Sequence, residues 1–260
     1  MLRSGLVSIT FRKLTPAEVV ALCVRAGVDG IEWGGDVHVP HGDFARAREV
    51  ARLASGAGLA AAAYGSYYRA GASEAEGLAF ASVAATAREL GAPTVRVWAG
   101  TKGSAAASAE ERAAVAADLR RISGIAAGAG LTVSLEFHGD TLTDTAASAV
   151  ALLEEAAHPA LHSLWQPAVG RNAEERRADL AAVAPWLTNV HVFQWGPSGW
   201  NDRRPLAEGE AEWRSYLDLA AIGAGDRYAL LEFAAADDPE AFVRDAAALN
   251  RWLGGAGTGT

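Results

Sequence analysis

Eight short runs rich in Val, Leu and Ile alternate with longer amphipathic stretches, and Gly recurs where a stretch meets the next run. Together these predict an α/β chain folded as a single-domain (β/α)₈ barrel. Alternating strand and helix patterns imply parallel strands joined by helical crossovers, and 260 residues match the size of one eight-fold barrel. Six such units plus two misread ones would instead suit an open doubly wound sheet.

The first run, 6–9, leads into TPAEVVALCVRAG, where Thr15 caps a helix, Pro16 opens it and Ala26-Gly27 closes it. Cys23, the only cysteine, lies on the apolar side of that helix and reads as a buried core thiol. The second run is 30–33, the third is 59–64 after Ala57-Gly58, and the fourth is 94–98 after Leu90-Gly91. Ser108, with Glu111 three residues on, forms a capping box for a helix that ends at Ala129-Gly130, before the fifth run, 132–137. Asp144 is a further N-cap candidate, and runs 161–165, 189–193 and 228–233 complete the set. The barrel is expected to span 1–253, with the short Gly-rich tail 254–260 frayed.

Composition narrows the function. Half the residues are hydrophobic, 21% are charged and the net charge is -8, so a nucleic-acid or membrane-surface partner would need a local basic patch, and none is visible. Charged residues or Gly interrupt every Ala-rich stretch before about 18 apolar residues accumulate, the least that a membrane span needs. No basic and apolar leader is seen at MLRSGLVSIT, and one thiol permits no internal disulfide; both fit a cytoplasmic protein.

In such barrels the chemistry lies at the C-terminal ends of the strands, so the last inward residues are the informative ones. Alternation along 132–137 turns Thr132, Ser134 and Glu136 inward and sets Val133, Leu135 and Phe137 against the helices. The same rule turns His191 and Glu232 inward, and Gln166 ends the sixth run just before Pro167. Four successive strands thus each deliver an oxygen or nitrogen donor to one end of the barrel, a geometry suited to a divalent metal such as Mn²⁺ or Mg²⁺. Without a metal, two inward Glu side chains would repel until one took up a proton.

Other residues near that end are candidates for substrate contacts. His138 lies two residues beyond Glu136, Glu32 ends the second run, and Trp33, Trp98, Trp165 and Trp195 all fall at strand ends, where aromatic walls suit sugar faces. His138 reads equally as a loop histidine at the strand's exit, Glu32 as the partner of a neighbouring Arg, and any one of the tryptophans as core packing. His38 and His41 occupy the loop VHVPHGD, read equally as a lid or as a solvated loop. Arg203 and Arg204 offer bidentate contacts to an anionic group or else form a solvated charge pair, and Lys102 poses the same choice. No nucleotide-binding glycine loop and no Gly-x-Ser-x-Gly elbow occurs.

The segments AGVDGIEWGGD, LEFHGDTLTDT, LWQP, NVHVFQW and YALLEF resemble the xylose isomerase-like family of TIM barrels, over nearly the whole chain. That family contains sugar isomerases, ketose 3-epimerases, inosose dehydratases and endonuclease IV relatives. The resemblance implies that Glu136 and Glu232 bind a metal (Mn²⁺, Mg²⁺, Co²⁺ or Zn²⁺) and exchange protons with substrate, and that His191 is a ligand. Gln166 departs from it, since many relatives carry Asp there, and an amide binds a hard cation more weakly than a carboxylate. The implied activity is isomerisation or epimerisation of a small sugar, polyol or hydroxy-keto compound through an enediolate, by a homodimer or homotetramer. The alternatives are an inosose-type dehydratase, an endonuclease IV-like phosphodiesterase and a non-catalytic ligand-binding barrel. The phosphodiesterase branch places His at the third and fourth strands, where this chain has Tyr64 and Trp98.

Overall fold

The β-branched and aliphatic runs become eight parallel strands because helices cover their outer faces and leave both sides of the sheet dry. In a computed structural model, which describes residues 1–222 and 225–254, these strands are β1 (Leu2–Val7), β2 (Gly30–Gly34), β3 (Ala60–Arg69), β4 (Thr94–Trp98), β5 (Thr132–Glu136), β6 (Leu161–Trp165), β7 (Leu187–Val192) and β8 (Arg227–Leu231). They pair in chain order into a closed barrel, sealed by β1 against β8. The covering helices are α1 (Pro16–Ala26), α2 (Phe44–Gly56), α3 (Phe80–Leu90), α4 (Ala109–Gly128), α5 (Ala146–Ala156), α6 (Ala173–Val183), α7 (Glu210–Ala220) and α8 (Pro239–Trp252). Among the described residues, no helix is long and apolar enough to cross a membrane.

Local chemistry sets most boundaries. Thr15 and Ser108 each close a capping box, over Glu18 and Glu111, and Gly27 and Gly91 end α1 and α3 in the left-handed conformation. Asp144 is not the cap expected of it. Thr145 caps α5, while the Asp144 carboxylate accepts from the Ser104 backbone N–H at 2.9 Å and ties two loops together.

The first strand lies earlier than its apolar run suggests: β1 begins at Leu2 and ends at Val7, and Ser8–Phe11 forms a 3-10 turn. Arg3 and Ser4 look unlike strand residues, yet Arg3 reaches Asp226 and Ser4 reaches Asp29, so both polar side chains are satisfied at the barrel's edge. β3 runs five residues past Tyr64 to Arg69, its register against β4 shifting between Gly65 and Tyr68. Of the tail expected to fray, residues 255–260 lie outside the described residues.

Two apolar clusters divide the interior. The larger fills the layer between strands and helices, and includes Cys23, whose thiol pKa burial pushes far up. The smaller, Val7, Ile9, Ala62, Tyr228 and Leu230, plugs the barrel itself and leaves the polar residues to its C-terminal mouth.

Candidate active site

β4 reads TVRVW, and its pleat buries Val95 and Val97 in the outer core while Arg96 points to the axis. Arg96 is 2% exposed; its Nε donates to Glu32 Oε1 at 2.6 Å and its Nη1 to Glu136 Oε2. The same Glu136 oxygen accepts from Trp98 Nε1, and Gln166 Nε2 stands 3.4 Å from the other oxygen. Beyond Glu32, Oε2 lies 3.2 Å from His191 Nε2, and His191 Nδ1 lies 3.3 Å from Glu232 Oε2. That last contact has ion-pair distance but lacks hydrogen-bond direction, which leaves Nδ1 a buried nitrogen without a hydrogen-bond partner. A continuous polar chain therefore links Gln166, Glu136, Arg96, Glu32, His191 and Glu232 across the barrel mouth.

Burial works against every charge in this chain, and the neighbours decide the outcome. At Glu32, Arg96 and then His191 outweigh desolvation and bring the carboxyl to about 2. Glu136 is held below the usual carboxylate range, desolvation being overcome mainly by Arg96. His191, disfavoured as a cation by burial, is pulled up to about 10 by Glu32 and Glu232. The Arg96 guanidinium, desolvated but flanked by Glu136 and Glu32, is held well above its ordinary value. At neutral pH the segment from Glu136 to His191 alternates in sign.

Beside this chain opens a chamber of about 560 Å³, walled by Phe137, Phe193, Trp195, Trp200 and Phe233 and floored by His138 and Gln166. It has room for a small polyol. Glu136 and Glu232 stand one residue behind its lining at Phe137 and Phe233.

The structure brings only some of the expected residues together. Glu136, Gln166, His191, Glu232 and Glu32 join one network, and Trp98 adds to it a ring stacked 4.9 Å from that of His138. Trp195 stacks on Phe193 in the chamber wall, whereas Trp33 and Trp165 are fully buried in the outer core. Arg203 pairs with Asp237 and covers the Phe233 ring at 4.9 Å, Arg204 pairs with Asp202, and Lys102 pairs with Glu111, so local carboxylates answer all three cations. His38 is buried against Ser8 and the Leu14 carbonyl, and His41 bonds to the Tyr64 hydroxyl, so both fasten their loop from inside.

Arg96 and Tyr67 were not anticipated. Alternation along β4 carried the signal for Arg96, because a lone arginine on the inward face of a barrel strand has no solvent to reach. Tyr67 carried none: it sits in the register shift of β3 with φ 55°, which brings its ring 4.9 Å from the Arg96 guanidinium.

The divalent ion that the resemblance implies does not fit this arrangement. Among the described residues, no three His, Cys, Asp or Glu side chains converge as a metal cluster. The four expected donors are divided, Glu136 and Gln166 engaging each other while His191 and Glu232 engage Glu32's side of the chain. The end of the Gln166 amide that faces a carboxylate is its N–H, which donates and offers a metal no lone pair.

A family model described as xylose isomerase-like TIM barrel matches residues 20–252. Among solved structures, the probable 3-DHS dehydratase AsbF of Bacillus anthracis superposes with a TM-score of 0.79 at 20% identity, over 95% of this chain and 98% of that one. An L-ribulose 3-epimerase gives 0.69 at 18% identity, over the full length of both chains. A xylose isomerase-like protein of Mycobacterium smegmatis in complex with magnesium gives 0.66 at 17% identity, over 93% of this chain and 90% of that one. At these identities the likeness is one of fold. No curated protein matches the sequence.

Proposed function

The chain belongs to the xylose isomerase-like TIM barrel family, and from that premise we propose that it moves a proton at a carbon beside a carbonyl in a small sugar, polyol or hydroxy-keto compound, as an isomerase or epimerase. The observation that carries this reading is the pair of buried carboxylates, Glu136 and Glu232, ending β5 and following β8 with Arg96 and His191 between them. One carboxylate takes the proton from the C–H, and the electron pair moves onto the carbonyl oxygen to give an enediolate. Arg96 and protonated His191 face that developing charge in a water-poor site, where fixed cations act most strongly. The second carboxyl enters the cycle protonated and gives its proton to the opposite face of the same carbon for epimerisation, or to the neighbouring carbon for isomerisation with the hydroxyl proton passing to the former carbonyl oxygen. The proton taken by the first is released to solvent, which recharges the second. The aromatic chamber holds the substrate's remaining carbons and excludes water from the intermediate.

The polar chain also offers a binding reading, in which Glu136 serves only as a counter-ion. Incubation in D₂O with a panel of ketoses, aldoses and inosose-like polyols separates the two. Deuterium is expected at one substrate carbon, with exchange falling by about 100-fold or more in Glu136→Gln and Glu232→Gln. A new dehydrated keto product would place the chain among the lyases, and a panel without any exchange would leave only binding. Cytoplasmic location and a homodimeric or homotetrameric state complete the proposal; size-exclusion chromatography with light scattering tests the latter.

A further inference from the structure

The berth of Arg96 is built from several sides. Glu32 and Glu136 hold two of its nitrogens, the Tyr67 ring lies 4.9 Å away on a backbone at φ 55°, and Gly65 leaves out the Cβ that would fall 2.5 Å from Nη2. Nη2 itself makes no hydrogen bond among the described residues, so one donor edge of the cation stays available. A divalent ion on Glu136 would stand beside this guanidinium. Like charges a few ångströms apart repel strongly where little water screens them. Arg96 has little freedom to withdraw, being 2% exposed and held by two carboxylates.

We propose that Arg96 is a resident cation that takes the place of a divalent metal in this barrel, so that the site binds no metal and its free Nη2 edge meets the substrate oxygen on which charge develops. The second clause rests on the proton-transfer reading above. The first does not, and it is tested without turnover.

The protein is dialysed against chelator, assayed for residual metal by elemental analysis, and titrated with Mn²⁺ while free ion is followed by electron paramagnetic resonance. The wild type is expected to retain no stoichiometric metal and to bind Mn²⁺ no more tightly than about 1 mM. Arg96→Met, which strips the cation from beside Glu32 and Glu136, should bind at least about tenfold tighter and melt higher when Mn²⁺ is added. Arg96→Lys, which keeps a charge there, should fold and still refuse the ion; it preserves the comparison if the Met variant does not fold. One equivalent of metal bound by the wild type at micromolar affinity overturns the proposal. So does an Arg96→Met variant that folds without gaining affinity, since something other than the guanidinium would then be keeping the ion out. Any deuterium exchange found with the wild type should persist undiminished in chelator, whereas absence of exchange would sink the proton-transfer reading and leave the metal result standing.

Discussion

A methyl group at position 65 would land 2.5 Å from Nη2 of Arg96 and 2.9 Å from Oε1 of Glu32. The backbone of Gly65 is one that any residue can adopt, so Gly65→Ala would act through crowding alone. The guanidinium would have to leave either Glu32 or Glu136, and both are buried anions that depend on it. The variant should lose about 1–3 kcal/mol in urea denaturation. An unchanged midpoint would mean that Arg96 is held more loosely than its contacts imply. At this scale five of the six network residues, all but Arg96, were legible as site candidates. Glu136, His191 and Glu232 followed from strand phase, and Arg96 lay within reach of the same rule. An Arg partner for Glu32 was open from the sequence, but its identity as Arg96 and the second contact to His191 were not legible, because they join β2 to β4 and β7 across the barrel, and no periodicity along one strand encodes a partner on another.

The strands depend on small residues where they crowd the axis. A Cβ on Gly5 would meet the Gly30 carbonyl oxygen at 2.6 Å and the Leu230 side chain at 2.6 Å, and one on Gly30 would meet the Tyr228 ring. A backbone oxygen locked in the β1–β2 ladder cannot swing aside, so Gly5→Ala should cost about 1–3 kcal/mol. Gly124 makes the opposite case: it lies in the exposed interior of α4, where a Cβ would find only the His158 ring, 4.0 Å away. Gly124→Ala should therefore gain about 0.5–1 kcal/mol, and paired urea titrations of the two variants check both signs. The elements were largely readable: β4 and β6 match their apolar runs residue for residue, since each is flanked by a glycine or histidine turn and is buried on both faces. The ends of β1 and β3 were not, because polar side chains satisfied by distant partners and a register shift are both tertiary facts.

Across the whole molecule, burial lowers the pKa of His38, His41 and His162 below the ordinary value of about 6.5. The unfolded chain therefore takes up protons first as pH falls, and binds more of them than the folded chain below about 6.5. His191, raised to about 10, is already protonated in the folded chain while the unfolded chain is still taking up that proton, so it opposes the slope of the three other rings at about pH 6.5 and ceases to matter toward about pH 5. Stability should consequently decline as pH falls from about 6.5 to 5, by less than about 1.4 kcal/mol per pH unit for each histidine. Urea midpoints in that interval test the sign, and a flat or rising profile would show that these rings titrate normally in the fold.

The closure of β1 on β8 has a consequence for how the chain is made. Leu2 pairs with Arg227, 225 residues later, so one edge of the first strand synthesised waits for the last strand of the barrel to emerge. At about 5–20 residues per second, that edge stays unpartnered on the ribosome for roughly ten to forty-five seconds. Arg3 near the start of β1, with its charge waiting for Asp226, is well placed to discourage a stray strand from docking there in the meantime.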